Sequence, residues 1–551
     1  MKNTFGSLAV LALVACGGGE KPPNLEGAVT LVTADKIYTG NPEQPIVRGV
    51  AIGPDGRIVA LLGDLNLSEK AVEGKQWFNY PDATLYPGFV DGHAHLQGIG
   101  DRELTLNLAG TSSVAELAQK VAAVAAEQPT GSVIVGRGWI ETGWPEERMP
   151  NRLDLDAVAP NHSVILTRAD GHALVANTLA LTRGGIVETT PDPSGGKIER
   201  DEAGAATGIL VDNAMDFVEK LIATPDDNIL TQRLETGAKV YAERGWTGLH
   251  NMSVGPREAP LMEALDKEDR LPIRVHNAYN ANGMDIAIER QYETDTIQNR
   301  AVKLYMDGAL GSRGALLFDP YSDRPETRGL ALRTKEDTKV LLDRAAANNV
   351  QIAFHAIGDQ ANFFAVEWMA EAIKDVEDPR WRVEHAQILR VDDIPLFGET
   401  GIIASMQASH AIGDLKFAPA RLGLGRLEGA YAWQGLLDTG GVVVGGSDAP
   451  VEVGSPLIEF YAAVARKSLE GEDGPGWHPE SAVSREDALK MLTAAPAFAS
   501  FQEDDLGTLE VGKFADISGF DRDLMTIPEA DILKANAVVT IVAGETVWKA
   551  E

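Results

Sequence analysis

Cysteine is almost absent. Cys16 is the only one in 551 residues, so no intramolecular disulfide can form. Basic residues are scarce as well: Lys and Arg number 49 against 81 Asp and Glu, a formal net charge of −32. Such a surface repels nucleic-acid phosphates and anionic lipid head groups, which excludes both as partners. Long hydrophobic runs are missing; the apolar stretch from Phe5 to Ala15 is too short to span a bilayer as a helix. No Gly-x-Ser-x-Gly elbow occurs, so a serine-nucleophile triad has no support, and there are no internal repeats.

What is present is ordinary globular material, with 44% hydrophobic and 24% charged residues. The chain exceeds a usual single core, so one large domain plus a smaller one is expected. Met1-Lys2, the short apolar run and Leu13-Val-Ala-Cys16 look like a signal peptide ending in a bacterial lipobox, with Gly17-Gly-Gly19 as a flexible tether. On that reading residues 1–15 are removed and 16–27 are the tether. Cys16 carries the lipid, and the only membrane association is through that N-terminal anchor. The product is a periplasm-facing lipoprotein of the bacterial cell envelope. Gly17, in place of the Asp associated with inner-membrane retention, suggests the outer membrane. The alternative is a secretory signal cleaved nearby with an incidental cysteine.

Residues 28–87 and 508–551 read as short strands and turns, with Asp55-Gly56 as a hairpin signal. They suggest one β-sandwich domain built from both ends; two separate caps are the alternative. Residues 88–507 alternate strands with helical stretches, as a parallel α/β fold requires. The candidate strands are Phe89-Val90, Gly248 to His250, Ile273 to His276, Val302 to Tyr305, Val350 to Phe354, Trp381 to Val383, Ile402 to Met406 and Val442 to Val444. That is the number a (β/α)₈ barrel needs. Residues 100–236 are far too long for one loop and are expected to be an insertion after the first barrel strand, placed over the mouth.

Barrel chemistry sits at the C-terminal ends of the strands. In Leu85-Tyr-Pro-Gly-Phe-Val-Asp-Gly-His-Ala-His95, a strand can aim His93 and His95 at one metal ion, because side chains two apart share a side. At later strand ends come Lys303, His355, His385 and Asp448. Four of only ten histidines fall in these positions. Imidazole and carboxylate donors suit Zn²⁺, and would also hold Mn²⁺, Fe²⁺ or Co²⁺. Lys303 stands inside an apolar strand, where an ammonium is costly to bury. A neutral amine there could take up CO₂ as a carbamate and bridge two metals; alternatively Lys303 pairs with Asp307 or a substrate carboxylate.

The order His-x-His, Lys, His, His, Asp resembles the amidohydrolase superfamily. Gly136-Arg-Gly-Trp139, Leu153-Asp-Leu-Asp156 before Ala159-Pro160, Thr167-Arg-Ala-Asp-Gly-His-Ala173, Asp307-Gly-Ala-Leu-Gly311, Val383-Glu-His-Ala386, Ser405-Met-Gln407 with His410, and Gly446-Ser-Asp448 are similar to its amidohydrolase-3 branch. That branch holds the YtcJ-like and N-substituted formamide deformylase-like enzymes. The resemblance implies a distorted (β/α)₈ TIM barrel with a β-sandwich from both ends. It implies one metal on His93, His95 and Asp448, a second on His355 and His385, and Lys303 bridging as a carbamate, with one or both positions filled. It implies hydrolysis of an amide or other C–N bond of a small molecule, with Asp448 as the general base. Arg168, Asp170, His172, Arg313 and His410 are the candidates for substrate contact. The alternatives are a dipeptidase or N-acyl deacylase with the same site, or a catalytically silent barrel lipoprotein that binds a ligand. An oligomer is compatible with all of them.

Overall fold

The structure, a computed structural model, describes residues 25–65, 72–290, 292–471 and 476–551. Cys16, the signal-peptide reading and most of the tether lie outside the described residues. Among those residues no helix is long and apolar enough to cross a membrane.

The eight candidate strands all form, and they are the barrel. In chain order they are β1 (Phe89–Ala94), β2 (Trp246–Val254), β3 (Arg274–Tyr279), β4 (Ile297–Tyr305), β5 (Gln351–Ala356), β6 (Arg382–His385), β7 (Ile403–Gln407) and β8 (Val443–Gly446). They lie side by side in sequence order, and the paired neighbours run parallel. Crossover helices lie between consecutive strands, among them Lys335–Ala347 and Asp359–Ile373.

The seam between β8 and β1 is closed at its upper end. Asp448 N donates to His93 O at 2.7 Å, and His95 N donates to Ala449 O at 2.8 Å. Asp91 Oδ1 accepts from Ser447 N at 2.8 Å, and Asp91 Oδ2 accepts from Ser447 Oγ at 2.5 Å. Two glycines make this approach possible. A Cβ on Gly92 would lie 2.2 Å from Val444 Cγ1, and one on Gly446 would lie 2.5 Å from His93 N. The Asp-Gly-His and Gly-Ser-Asp motifs are therefore the two halves of one seam.

Residues 106–212 form their own six-stranded sheet between β1 and β2, with apolar cores on both faces. The helix Asp227–Arg244 runs through the expected boundary near 236. It packs backbone to backbone on the helix Leu96–Leu104, since a Cβ on Gly100 would sit 1.8 Å from Arg233 O. It belongs with the barrel, and the inserted layer ends before it.

Strands from both chain ends join in one seven-stranded sheet. Gln76–Pro87 pairs antiparallel with Ile517–Phe520, Pro87 lying opposite Ile517. The sandwich is thus one continuous sheet folded over. The strands Ile58–Leu62 and Ala537–Val542, from the two chain ends, share an apolar core that includes Ile58 and Ile541, and the Asp55-Gly56 turn abuts Ala543. This sheet runs through Pro87-Gly88 straight into β1, and Arg274 at the start of β3 binds Asp516 at 2.6 Å.

Candidate metal centre

Three imidazoles at the barrel mouth have Nδ1 fixed by an acceptor. His93 Nδ1 meets Glu384 Oε2 at 2.5 Å, His95 Nδ1 meets Met252 O at 3.0 Å, and His385 Nδ1 meets Gln407 Oε1 at 2.8 Å. All three partner atoms only accept, so on His93 and His385 Nδ1 carries the hydrogen and Nε2 keeps a free lone pair, whereas His95 meets an acceptor at each nitrogen, Met252 O at Nδ1 and Asp448 Oδ1 at Nε2. Orienting a ligand histidine through its second nitrogen is how metal sites set the tautomer. His93, His385 and Asp448 each offer a donor atom within 4.8 Å of the others. Asp448 Oδ1 stands 3.0 Å from His95 Nε2 and 3.4 Å from His93 Nε2. The His355 and His385 rings are 4.5 Å apart, and His355 Nε2 is buried with no hydrogen-bond partner among the described residues. A buried nitrogen of this kind calls for a ligand, so the donor set fits a divalent metal.

The backbone turns to make this possible. His385, Ala386 and Asp448 have φ of 74°, 42° and 57°, in the left-handed region that few non-glycine residues occupy. In a regular strand Glu384 and His385 would face opposite sides. The turn at His385 lets the carboxylate anchor His93 from within the barrel while the next residue joins the mouth.

Electrostatics keep the rings neutral. Burial pushes His93 down to about 4, with the Lys303 charge acting the same way, and burial holds His355 and His385 well below the usual histidine range. Neutral imidazole is the form that binds metal. Burial works to raise Asp448, but His93 and the hydrogen bond from His95 prevail and hold it well below the usual carboxylate range. Glu384 is likewise held down against burial by the Arg382 guanidinium, which contacts it at 2.5 Å. Lys303 is buried, its Nζ 3.4 Å from His93 Nε2 and 4.8 Å above the Tyr305 ring.

The inserted layer supplies the facing wall. A cavity of about 790 Å³ is lined from the barrel by His95, Lys303, His355, His385, His410 and Asp448, and from the insertion by Arg137 and Arg168 to His172. His172 Nδ1 bonds Asp212 Oδ1 at 2.8 Å; burial works to lower its pKa, but that bond prevails and raises it. His410 Nε2 is buried without a hydrogen-bond partner among the described residues, 3.7 Å from Asp448 Oδ2.

Several expected roles change. Arg313 does not line the cavity; its Nε and Nη2 bind Asp323 at 3.1 and 2.8 Å, so its charge is spent there. Arg168 reaches the cavity, but Glu141 at 2.8 Å and Asp170 at 2.5 Å hold its guanidinium. Asp170 also accepts from His172 N at 3.1 Å. Arg168 and Asp170 therefore shape the turn that presents His172. The alternative pairing of Lys303 with Asp307 does not occur. Asp307 accepts from the backbone of Leu316, Ile357 and Gly358, and burial pushes it up to about 7. Sequence reasoning passed over Arg382 and Glu384; charges at alternate positions in an otherwise apolar strand were the available signal. It also gave no role to Arg137, a cation inside the strand Val133–Trp139.

An eight-stranded barrel with histidine and aspartate donors gathered at its C-terminal mouth defines the metal-dependent hydrolase class. The profile described as "Amidohydrolase family" matches residues 81–548. The chain belongs to the amidohydrolase family. It is 30% identical over 477 residues to the putative amidohydrolase YtcJ of Bacillus subtilis, covering 85% of this chain and 89% of that one. It is 26% identical over 524 residues to the N-substituted formamide deformylase of Arthrobacter pascens, covering 89% and 93%. Among solved structures, an uncharacterized metal-dependent hydrolase from Pyrococcus horikoshii superposes with a TM-score of 0.73 at 25% identity, covering 91% of this chain and 99% of that one.

Proposed function

We propose that this protein hydrolyses an amide or related C–N bond of a small molecule, with zinc as the divalent metal. The observation that carries the reading is the pair His93 and His385, fixed at Nδ1 and grouped with Asp448. The formamide deformylase relative supports the choice of a C–N bond. When bound, the metal supplies Lewis acidity, lowering the pKa of water and polarising a carbonyl. The chain's own residues do the rest. Asp448, ionised and at the centre of the donor set, takes the proton of the attacking water and returns it to the leaving nitrogen. His172 and His410 flank the cavity as hydrogen-bond donors to the oxygen that gains charge. The close grouping of His93, His385 and Asp448 supports one ion there. A carbamate on Lys303 would add an anionic ligand beside His93 and open the second position. The partner on this reading is a small molecule, and lipidation at Cys16 would place the enzyme in the cell envelope.

Metal analysis of the purified protein, with rates on formamides, N-acyl amino acids, dipeptides and cyclic amides before and after chelation, tests the reading. Hydrolysis that chelation abolishes and zinc restores is the expected result. Full hydrolysis by metal-free protein would overturn it. For the location, Cys16→Ser should release the protein from the membrane fraction or block its processing.

A further inference from the structure

Arg137 on the cavity wall has no ion-pair partner among the described residues. It lies on the strand Val133–Trp139 and lines the cavity. Its only hydrogen bond among the described residues is from Nη2 to Ala169 O at 3.1 Å, and its Nε is buried with no partner. Among the described residues no carboxylate lies within ion-pair distance of it. The carboxylates that act on its charge are Asp448, Asp170 and Asp101, and each has another partner. Asp448 faces His95 at 3.0 Å, Asp170 faces Arg168 at 2.5 Å, and Asp101 faces Arg233 at 2.5 Å. Arg168, on the neighbouring strand, shows the contrast: two carboxylates enclose it.

A guanidinium held out of bulk water without an anion is a costly arrangement, and one that persists beside a cavity is explained by an anion arriving there. Its position suits that task. Gly171, where a Cβ would approach Arg137 Nη2 to 3.3 Å, leaves the fork uncovered at the turn that presents His172. The His172 ring lies 5.6 Å from the His355 ring, so the turn beside Arg137 adjoins the metal donors. Lys416 lines the same cavity and adds positive charge.

We infer that Arg137 is a specificity-determining residue that binds a carboxylate of the substrate, so that the substrate class is an amide bearing a carboxylate, such as an N-acyl amino acid. This rests on the proposed C–N hydrolysis at the same site. The planar fork of Arg137 can meet both carboxylate oxygens, which a neutral head group cannot match.

The test measures binding to the metal-loaded full-length protein and needs no turnover. The probe is 3-benzoylpropionate, in which a methylene replaces the amide nitrogen of N-benzoylglycine, compared with the neutral alcohol of the same skeleton. Wild-type protein should prefer the acid by about tenfold or more, the size of a charge-assisted pair. Arg137→Gln should bring the acid-to-alcohol ratio towards one, and Arg137→Lys, which keeps the charge but loses the fork, should fall between. Metal content, measured in parallel, should equal wild type in both variants. The inference is overturned if wild type shows no preference for the acid, or if the preference survives Arg137→Gln, because the metal or Lys416 would then hold the carboxylate. It is also overturned if both variants weaken both probes equally, which would make Arg137 a structural support of the 168–172 turn. Loss of metal dependence or of hydrolysis would instead count against the proposed function, since it leaves the binding ratio readable.

Discussion

The two faces of the cavity treat histidine in opposite ways. On the barrel face, burial and the nearby Lys303 drive His93 down to about 4 and hold His355 and His385 low, so these rings are neutral and offer lone pairs. On the inserted face, His172 is also buried, yet the Asp212 carboxylate raises it. The same side chain is a cation collector on one wall and a proton-bearing donor on the other. What differs is the second nitrogen's partner. His385 rests on a neutral acceptor, Gln407 Oε1, and His93 rests on a carboxylate whose charge Arg382 already answers. Among the described residues Asp212 has no such counter-cation in an ion pair, and its charge acts on His172.

The hardest way to break this contrast is to remove the barrel rings. His93→Ala and His95→Ala should each lose metal and activity by more than the roughly 10–100-fold that loss of an outer partner costs. Circular dichroism should show the barrel still folded. Normal metal content with normal rates would end the site assignment.

Lys303 comes next, because its charge state decides whether the barrel face attracts or repels a divalent ion. Lys303→Arg, a permanent cation, should lose metal and activity, while Lys303→Glu should retain more of both. Added short carboxylates should partly restore Lys303→Ala. If Lys303→Arg binds metal normally, the carbamate idea fails and a single ion on His93, His385 and Asp448 remains.

Glu384→Gln should sharpen the comparison by leaving Arg382 unanswered beneath His93. Metal affinity should fall about 10–100-fold. Stability should fall by about 3–5 kcal/mol, as for breaking a buried ion pair. Metal titration and chemical denaturation read the two effects separately.

The smallest effect belongs to the inserted face. A group raised on folding contributes stability that is fully present below its unfolded value and is lost as pH rises through its folded value. For His172 that window opens near its ordinary 6.5 and extends upward. His172→Gln should therefore lower the melting temperature more at about pH 6 than at about pH 9. An equal loss at both would mean that the Asp212 contact carries no proton linkage.

Much of this was legible in the chain. The eight strands could be read because a parallel barrel strand is a short apolar run between turns, and all eight form where those runs lie. His93 and His95 could be paired because a two-residue spacing has one geometric meaning in a strand. The folding-over of the terminal sheet was not legible, since it depends on Ala543 meeting a turn nearly 500 residues earlier in the chain.

Chain order and residue type by themselves determined the barrel, the insertion and the metal donor types, because those follow from local periodicity and from which atoms can bind a metal. Only the tertiary structure decided which charges are spent and which are free. Arg313, Arg168 and Arg137 look alike as cations near glycine-rich turns, yet Asp323 takes the first, Glu141 and Asp170 take the second, and among the described residues no carboxylate pairs with the third. Glu384 reaches His93 across 291 residues. Pairing of charges falls off within a few ångströms, so it is set by where distant segments meet, which no local pattern records.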